Sequence, residues 1–310
     1  MITTKKSAFV GMLVAGALAV TGCSAGAAET NTGTGELAGL TGVVGSKEFT
    51  EQLVLGNIAT IALNNAGADV SYQDLAGSTN ARAALMGDEI IGYYEYTGTA
   101  WLVYLENDAP ITGADAQYAA VSEADLATND VVWLEGGQFN NTYAFAMNSE
   151  KAAELGVKTL SDVAALPAAD QSYCIEAEFS ARPDGWPGLA STYGLDTNNV
   201  SNLDTGAIYQ ITADGGTCNF GEVFITDGRV AALDLTILTD DKEFFPVYQG
   251  AFTLKSSTLA AYPAIATVLD PISVALTDSV LQMLNAQVDI DGEDPEDVAR
   301  MWLQDNGLIS

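Results

Sequence analysis

The stretch Val43-Val44-Gly45-Ser46-Lys47-Glu48-Phe49-Thr50-Glu51-Gln52-Leu53-Val54-Leu55-Gly56-Asn57-Ile58-Ala59-Thr60-Ile61-Ala62 passes from a short apolar run into residues at helical spacing. Val43-Val44-Gly45 ends a strand, and Leu53, Ile58, Ile61 and Ala62 line one helix over 50–66 before Gly67. This β-α step recurs downstream. Residues 70–75 predict a strand, 78–86 a helix, 90–94 a strand, 114–127 a helix and 131–134 a strand, followed by a loop over 136–141. A second unit continues with strands at 143–147, 173–177 and 222–225 and helices around 157–166 and over 187–193. Strands separated by helices imply parallel pairing in an α/β layer. The C-terminal part is helical over 256–268 and 272–286, and Asp294-Pro295 starts a last helix in which Val298, Met301 and Trp302 share a face.

A length of 310 residues suits about two domains and a substantial core. The chain carries 11 Lys and Arg against 41 Asp and Glu, for a formal charge of −30. Nucleic-acid binding draws on clustered basic residues, so that class is excluded. The chain has no His, which removes Ser-His-Asp and Cys-His nucleophiles and His-based zinc sites. The acidic run 289–294 invites a calcium reading, but its glycine is misplaced for an EF-hand loop, and a solvated acidic loop fits better. No metal and no cofactor are expected.

Residues 1–22 have the form of a signal peptide, with Lys5 and Lys6 before an apolar run from Ala8 to Val20. That run is about 13 residues, short of the ~20 needed to span a bilayer. Val20-Thr21-Gly22-Cys23 resembles a bacterial lipobox, in which the cysteine becomes the acylated N-terminus. Residues 23–41 then form the lipidated Cys and a flexible tether rich in Gly, Ala, Thr and Ser. Cys174 and Cys218 remain as an even pair in an exported chain, where a disulfide is expected.

Four ordered stretches carry a resemblance. They are Gly45-Ser46-Lys47-Glu48-Phe49-Thr50-Glu51-Gln52, Glu95-Tyr96-Thr97-Gly98-Thr99-Ala100-Trp101, Phe139-Asn140-Asn141-Thr142-Tyr143-Ala144 and Glu178-Phe179-Ser180-Ala181-Arg182-Pro183-Asp184-Gly185. A weaker run joins Thr226-Asp227-Gly228-Arg229, Asp240-Asp241-Lys242 and Phe245-Pro246-Val247-Tyr248. From about Val43 to the C-terminus, the chain resembles the substrate-binding proteins of ABC importers for glycine betaine, choline, carnitine and related osmoprotectants. The resemblance implies an α/β, two-lobed, periplasmic-binding-protein-like fold with a two-strand hinge and a central cleft. The chain would cross between lobes near 140–146 and 246–253. Lobe one would be 42–142 plus 252–310, and lobe two 143–251.

The chemistry expected of such a cleft follows from the ligand. A trimethylammonium head is cationic and has no N–H, so aromatic faces recognise it, each contributing about 0.5–2 kcal/mol. By resemblance the rings are Tyr96, Tyr143, Phe224 and Tyr248. Lys47, Thr99 and Arg182 would bind a ligand carboxylate, Arg182 gripping both oxygens and Lys47 adding a point charge. Burying Lys47 and Arg182 without an anionic partner would be costly, so carboxylate ligands should bind more tightly than choline. Arg182 could instead anchor its own loop through Asp184, as Arg229 could through Asp227. Two positions depart from the family pattern: Phe224 stands where members often carry Tyr, and Asn141 where they often carry Asp. Asn141 would still border the cationic head.

The resemblance implies a monomeric receptor rather than an enzyme, held by its lipid to the outer face of the cytoplasmic membrane. It would pass glycine betaine, or else choline or carnitine, to separate permease and ATPase subunits. The chain lacks a phosphate-binding Gly-rich Lys-Ser/Thr motif, so the ATPase is another polypeptide. An enzyme on the same scaffold and a sensory surface lipoprotein without a transport role are the competing classes. The lipobox reading predicts a diacylated Cys23 at the N-terminus in the native host. Intact mass spectrometry checks it, and a mature chain without lipid mass would refute it.

Overall fold

A computed structural model describes residues 35–309; the signal peptide expected over 1–22 and the lipidation expected at Cys23 lie outside this range. The body begins earlier than Gly42. Leu37 and Leu40, assigned above to the tether, are buried in the core, since two leucines lose more exposed apolar surface by packing than a tether gains in freedom.

Two five-stranded sheets organise the described residues. The first contains β1 (Thr41–Lys47), β2 (Asp69–Leu75), β3 (Gly92–Tyr96), β4 (Val131–Asn140) and β10 (Gln249–Lys255), in the order β2-β1-β3-β10-β4. The second contains β5 (Tyr143–Asn148), β6 (Tyr173–Ile175), β7 (Val200–Asn202), β8 (Phe220–Phe224) and β9 (Leu235–Ile237), in the order β7-β6-β8-β5-β9. Pairing is mixed rather than uniformly parallel. β1 runs parallel to β2 and β3, whereas β10 is antiparallel to both β3 and β4. Likewise β5 is antiparallel to β8 and β9. The antiparallel strands are those that follow a crossing between sheets, where the chain enters from the opposite end.

The opening stretch folds as read. β1 leads to helix α1 (Thr50–Asn65), which is buried on nearly every side because it lies between the first sheet and the C-terminal helices. Leu55 and Ile58 are wholly buried there, each worth about 1.5–3 kcal/mol of removed apolar surface. The last helix, Pro295–Asp305, starts as expected: Asp294 accepts from the Glu296 amide and Pro295 occupies the first turn.

Other boundaries moved. β4 continues through the expected 136–141 loop, because Gln249 and Ala251 of β10 pair with Asn140 and Gly136 across bulges. β3 sits two residues later than expected, which puts Glu95 and Tyr96 on the strand. The helix expected around 157–166 is Leu160–Ala164, and a separate helix, Ser149–Leu155, closed by left-handed Gly156, precedes it. The helix Thr205–Asp214 was not foreseen. The helix Ala264–Ala275 runs through Pro271 instead of breaking there, at the cost of one backbone hydrogen bond.

Cys174 of β6 is bonded to Cys218, just before β8, with Cα atoms 5.8 Å apart. The bridge closes a segment of 44 positions, and on the chain-entropy account it stabilises by about 3–4 kcal/mol. Replacing both cysteines by serine should therefore lower urea-unfolding stability by that order. An unchanged unfolding midpoint in the double variant would count against it.

Candidate ligand cleft

The chain crosses between the sheets twice, once from β4 to β5 and once from β9 to β10. The crossings are tied together: the Asn141 amide donates to the Tyr248 carbonyl at 3.1 Å, and the Tyr248 amide donates to Asn140 Oδ1 at 2.7 Å. Strand ends from both lobes converge here on a cleft of about 470 Å³. It is bordered by all eight residues expected from the sequence: Lys47, Tyr96, Thr99, Asn141, Tyr143, Arg182, Phe224 and Tyr248.

Tyr143 is the hub of the rings. Its centroid lies 5.0 Å from Phe224 and 5.3 Å from Tyr248, the latter edge-on at 89°. Tyr248 lies against Gly98, where a Cβ would come within 2.7 Å of its ring, so only glycine permits this approach. Tyr96 joins through Phe49, which stacks at 6.2 Å on Tyr96 and at 5.3 Å on Phe224. Phe49 belongs to the first lobe and Phe224 to the second, so their stack spans the cleft. Phe49 stands in the first motif, and nothing in that motif assigned it a role. Its position at the β1-α1 turn, two residues past Lys47, was the available signal.

The basic residues are not free. Lys47 pairs with buried Glu95 at 2.6 Å. Glu95 is saturated as well, taking the Tyr96 amide and the hydroxyls of Tyr93 and Tyr104, each at 2.7 Å. Arg182 makes a bidentate pair with Asp184, donates to Glu178 at 2.9 Å and reaches Thr99 of the other lobe at 3.2 Å. Those contacts use four of its five N–H donors. Tyr248 donates to the same Asp184 at 2.6 Å. The premise that Lys47 and Arg182 need a ligand carboxylate for charge balance therefore does not hold; the protein supplies their partners. Both keep spare donors, three on Lys47 less the one given to Glu95, and one on Arg182.

Further contacts bridge the lobes. Glu178 accepts from the Ser78 amide at the start of helix α2 (Gly77–Met86), at 3.0 Å. Burial works against its charge, but Lys47, Arg182 and Ser78 outweigh that and hold the carboxyl below the usual range. Arg229 pairs with Asp227 and also reaches Asp289 at 3.3 Å. Residues 290–294 are exposed, in keeping with a solvated acidic loop, but Asp289 ends a helix, borders the cleft and accepts from Thr50 at 2.7 Å.

Asn141 is not simply a lost charge. Its Nδ2 donates to Glu51 at 2.9 Å and to the Tyr96 hydroxyl at 3.2 Å. An Asp there would set a second carboxylate against Glu51. Glu51 was also missed, although it stands four residues past Lys47, because nothing in a helical pattern says that an acid at its start is buried.

Residues 42–305 match the family described as the substrate-binding domain of an ABC-type glycine betaine transport system. The chain is 36% identical to a glycine-betaine-binding protein of Pseudomonas aeruginosa over 276 residues, covering 86% of this chain and 88% of that one. It is 30% identical to an ergothioneine transport permease/ergothioneine binding protein, EgtU, of Helicobacter pylori, covering 86% of this chain but 48% of the relative. The structure of apo YehZ from Escherichia coli superposes with a TM-score of 0.64 at 31% identity, covering 86% of this chain and 99% of that one. Motif order, two-lobed fold and cleft thus agree with the similarity along the whole body, and the chain belongs to the substrate-binding family of ABC-type glycine betaine transport systems, whose members bind solutes and are not enzymes.

Proposed function

We propose that the chain is an extracytoplasmic receptor, anchored through lipidated Cys23, that captures a quaternary-ammonium osmoprotectant and hands it to a separate permease and ATPase. Glycine betaine is the first candidate. The observation that carries this reading is the set of five rings, Phe49, Tyr96, Tyr143, Phe224 and Tyr248, that the two lobes bring to one cleft. Buried ring faces attract a diffuse cation without needing an N–H, and they pack against methyl groups. Closure of the lobes completes the ring set, because Tyr96 and Phe49 come from the first lobe and Phe224 from the second. Lys47, Thr99 and Arg182 offer their remaining donors to a carboxylate at the other end. The P. aeruginosa relative, named for glycine betaine, supports this choice.

A second reading within the same class has an observation of its own. Lys47 and Arg182 are already neutralised by Glu95 and Asp184, so a ligand lacking a carboxylate, such as choline, leaves no unpaired charge behind. The cleft volume also accommodates larger betaines, including carnitine and the ergothioneine named for the H. pylori relative.

A thermal-shift panel of glycine betaine, carnitine, choline and ergothioneine tests the class, because a ligand that binds only the native state raises its melting temperature. At least one of these is expected to stabilise the protein; no shift with any of them would refute the reading. Tyr143→Ala, Tyr248→Ala and Phe49→Ala should each weaken binding of the stabilising ligand by about 1–3 kcal/mol in calorimetry. Wild-type affinity in all three would exclude the ring cage. Arg182→Ala should harm glycine betaine more than choline if Arg182 reads the carboxylate. Equal losses would make it a lobe-bridging residue only.

A further inference from the structure

Behind the rings lies a carboxylate that forms no ion pair among the described residues. Glu51, in the first turn of α1, is 3% exposed. Its Oε1 accepts from the Tyr96 hydroxyl at 2.8 Å and from Asn141 Nδ2 at 2.9 Å. Its Oε2 accepts from Thr226 Oγ1 at 2.6 Å and from Asn285 Nδ2 at 3.4 Å. These donors come from β3, the first crossing, the loop after β8 and a C-terminal helix, so both lobes contribute. All four are neutral. Two of them, Tyr96 and Asn141, also border the cleft, which places Glu51 one side chain behind the surface a ligand would touch.

The surrounding charges are already committed. Lys47 sits 5.0 Å over the Tyr96 ring but is paired with Glu95. Arg229, which lines a small cavity together with Glu51 and Asp227, is divided between Asp227 and Asp289. Tyr96 is held as a neutral donor, since burial and the Glu51 charge push its hydroxyl well up. The arrangement thus receives a carboxylate by hydrogen bonds, while no cationic side chain among the described residues pairs with it. Burial accordingly pushes the Glu51 carboxyl up to about 7, against its hydrogen bonds.

We propose that Glu51 is the counter-ion for the ligand's quaternary ammonium, so that ligand binding drives a proton off Glu51. The proposal rests on the quaternary-ammonium reading above and adds the source of charge selection to it. Rings alone attract a cation but also pack well against a neutral tert-butyl group of the same shape; a buried carboxylate behind them separates the two.

The sign follows from linkage. A cation beside a carboxylate lowers its pKa, so the bound form holds fewer protons than the free form. Binding then releases protons at pH 6–7, and affinity strengthens as pH rises from 6 to 8. If the ligand brings the carboxyl down to about 5, that gain is about tenfold.

Glycine betaine is titrated calorimetrically into the wild-type protein at pH 6, 7 and 8, at each pH in two buffers of different protonation enthalpy. Net release of about half a proton at pH 7, more at pH 6, and tightening toward pH 8 are expected. Glu51→Gln keeps the shape and should abolish most of the release and flatten the pH profile, which separates Glu51 from Glu176 and Asp289, whose carboxyls burial also raises. The wild type should also prefer glycine betaine to 3,3-dimethylbutanoate, its neutral-headed carbon isostere, and Glu51→Gln should narrow that gap. Tight betaine binding with no proton release, or undiminished release in the variant, overturns the proposal and leaves the betaine reading standing. If Glu51→Gln does not fold, a wild type that binds betaine with no proton release still overturns the proposal. If none of the quaternary ammonium ligands binds, the reading beneath the proposal fails and the proposal with it.

Discussion

The hydrogen bond from the Asn141 amide to the Tyr248 carbonyl fixes the two interlobe crossings side by side, and the cleft depends on that constraint. Tyr143 follows one crossing and Tyr248 precedes the next strand after the other, so the bond sets their rings edge-on within one wall. The remaining rings arrive on strand ends or on the turn after β1. Rotation about the crossings would separate Phe49 from Phe224, Arg182 from Thr99 and Thr226 from Glu51 together. Closure and completion of the cleft are therefore one event.

Charge in this cleft is organised by pairing. A chain with so large an acid excess still buries Lys47, Arg82 and Arg182, and each has a carboxylate within hydrogen-bond distance. Removing one partner of such a pair would strand a buried charge, so these residues act first as structure. Arg182 shows how one side chain can do two things: its bond to Asp184 orders its own loop, and its bond to Thr99 reaches the other lobe. Only donors left over from such pairs remain for a ligand. Among the described residues Glu51 and Glu222 are buried carboxylates outside any ion pair; Glu222 accepts the Glu176 amide, whereas Glu51 is saturated by neutral side-chain donors.

Much of the scaffold was legible in the chain. The β-α step at Val43–Ala66, the capped final helix at Asp294-Pro295 and the cysteine pair follow from local patterns that need no partner to interpret. The strand over 136–140 and the run of helix through Pro271 were not legible, because pairing with β10 and packing against α1 overrode the turn-like and helix-breaking residues there. Leu37 and Leu40 were hidden by the Gly- and Thr-rich composition around them.

The sequence by itself pointed to eight of the side chains that border the cleft: the ordered motifs hold Lys47, Tyr96, Thr99, Asn141, Tyr143, Arg182 and Tyr248, and the resemblance adds Phe224, whereas Phe49 and Asp289 border it without having been marked. Tertiary structure alone decided what those side chains are free to do. Whether Lys47 or Arg182 can offer its charge depends on Glu95 and Asp184, and whether Asn141 removes a charge depends on Glu51, four residues past Lys47 but buried beneath Tyr96. A motif records residue type and order, whereas the energy of a buried charge is set by the distances and donors around it, and these exist only once the two lobes have folded against each other.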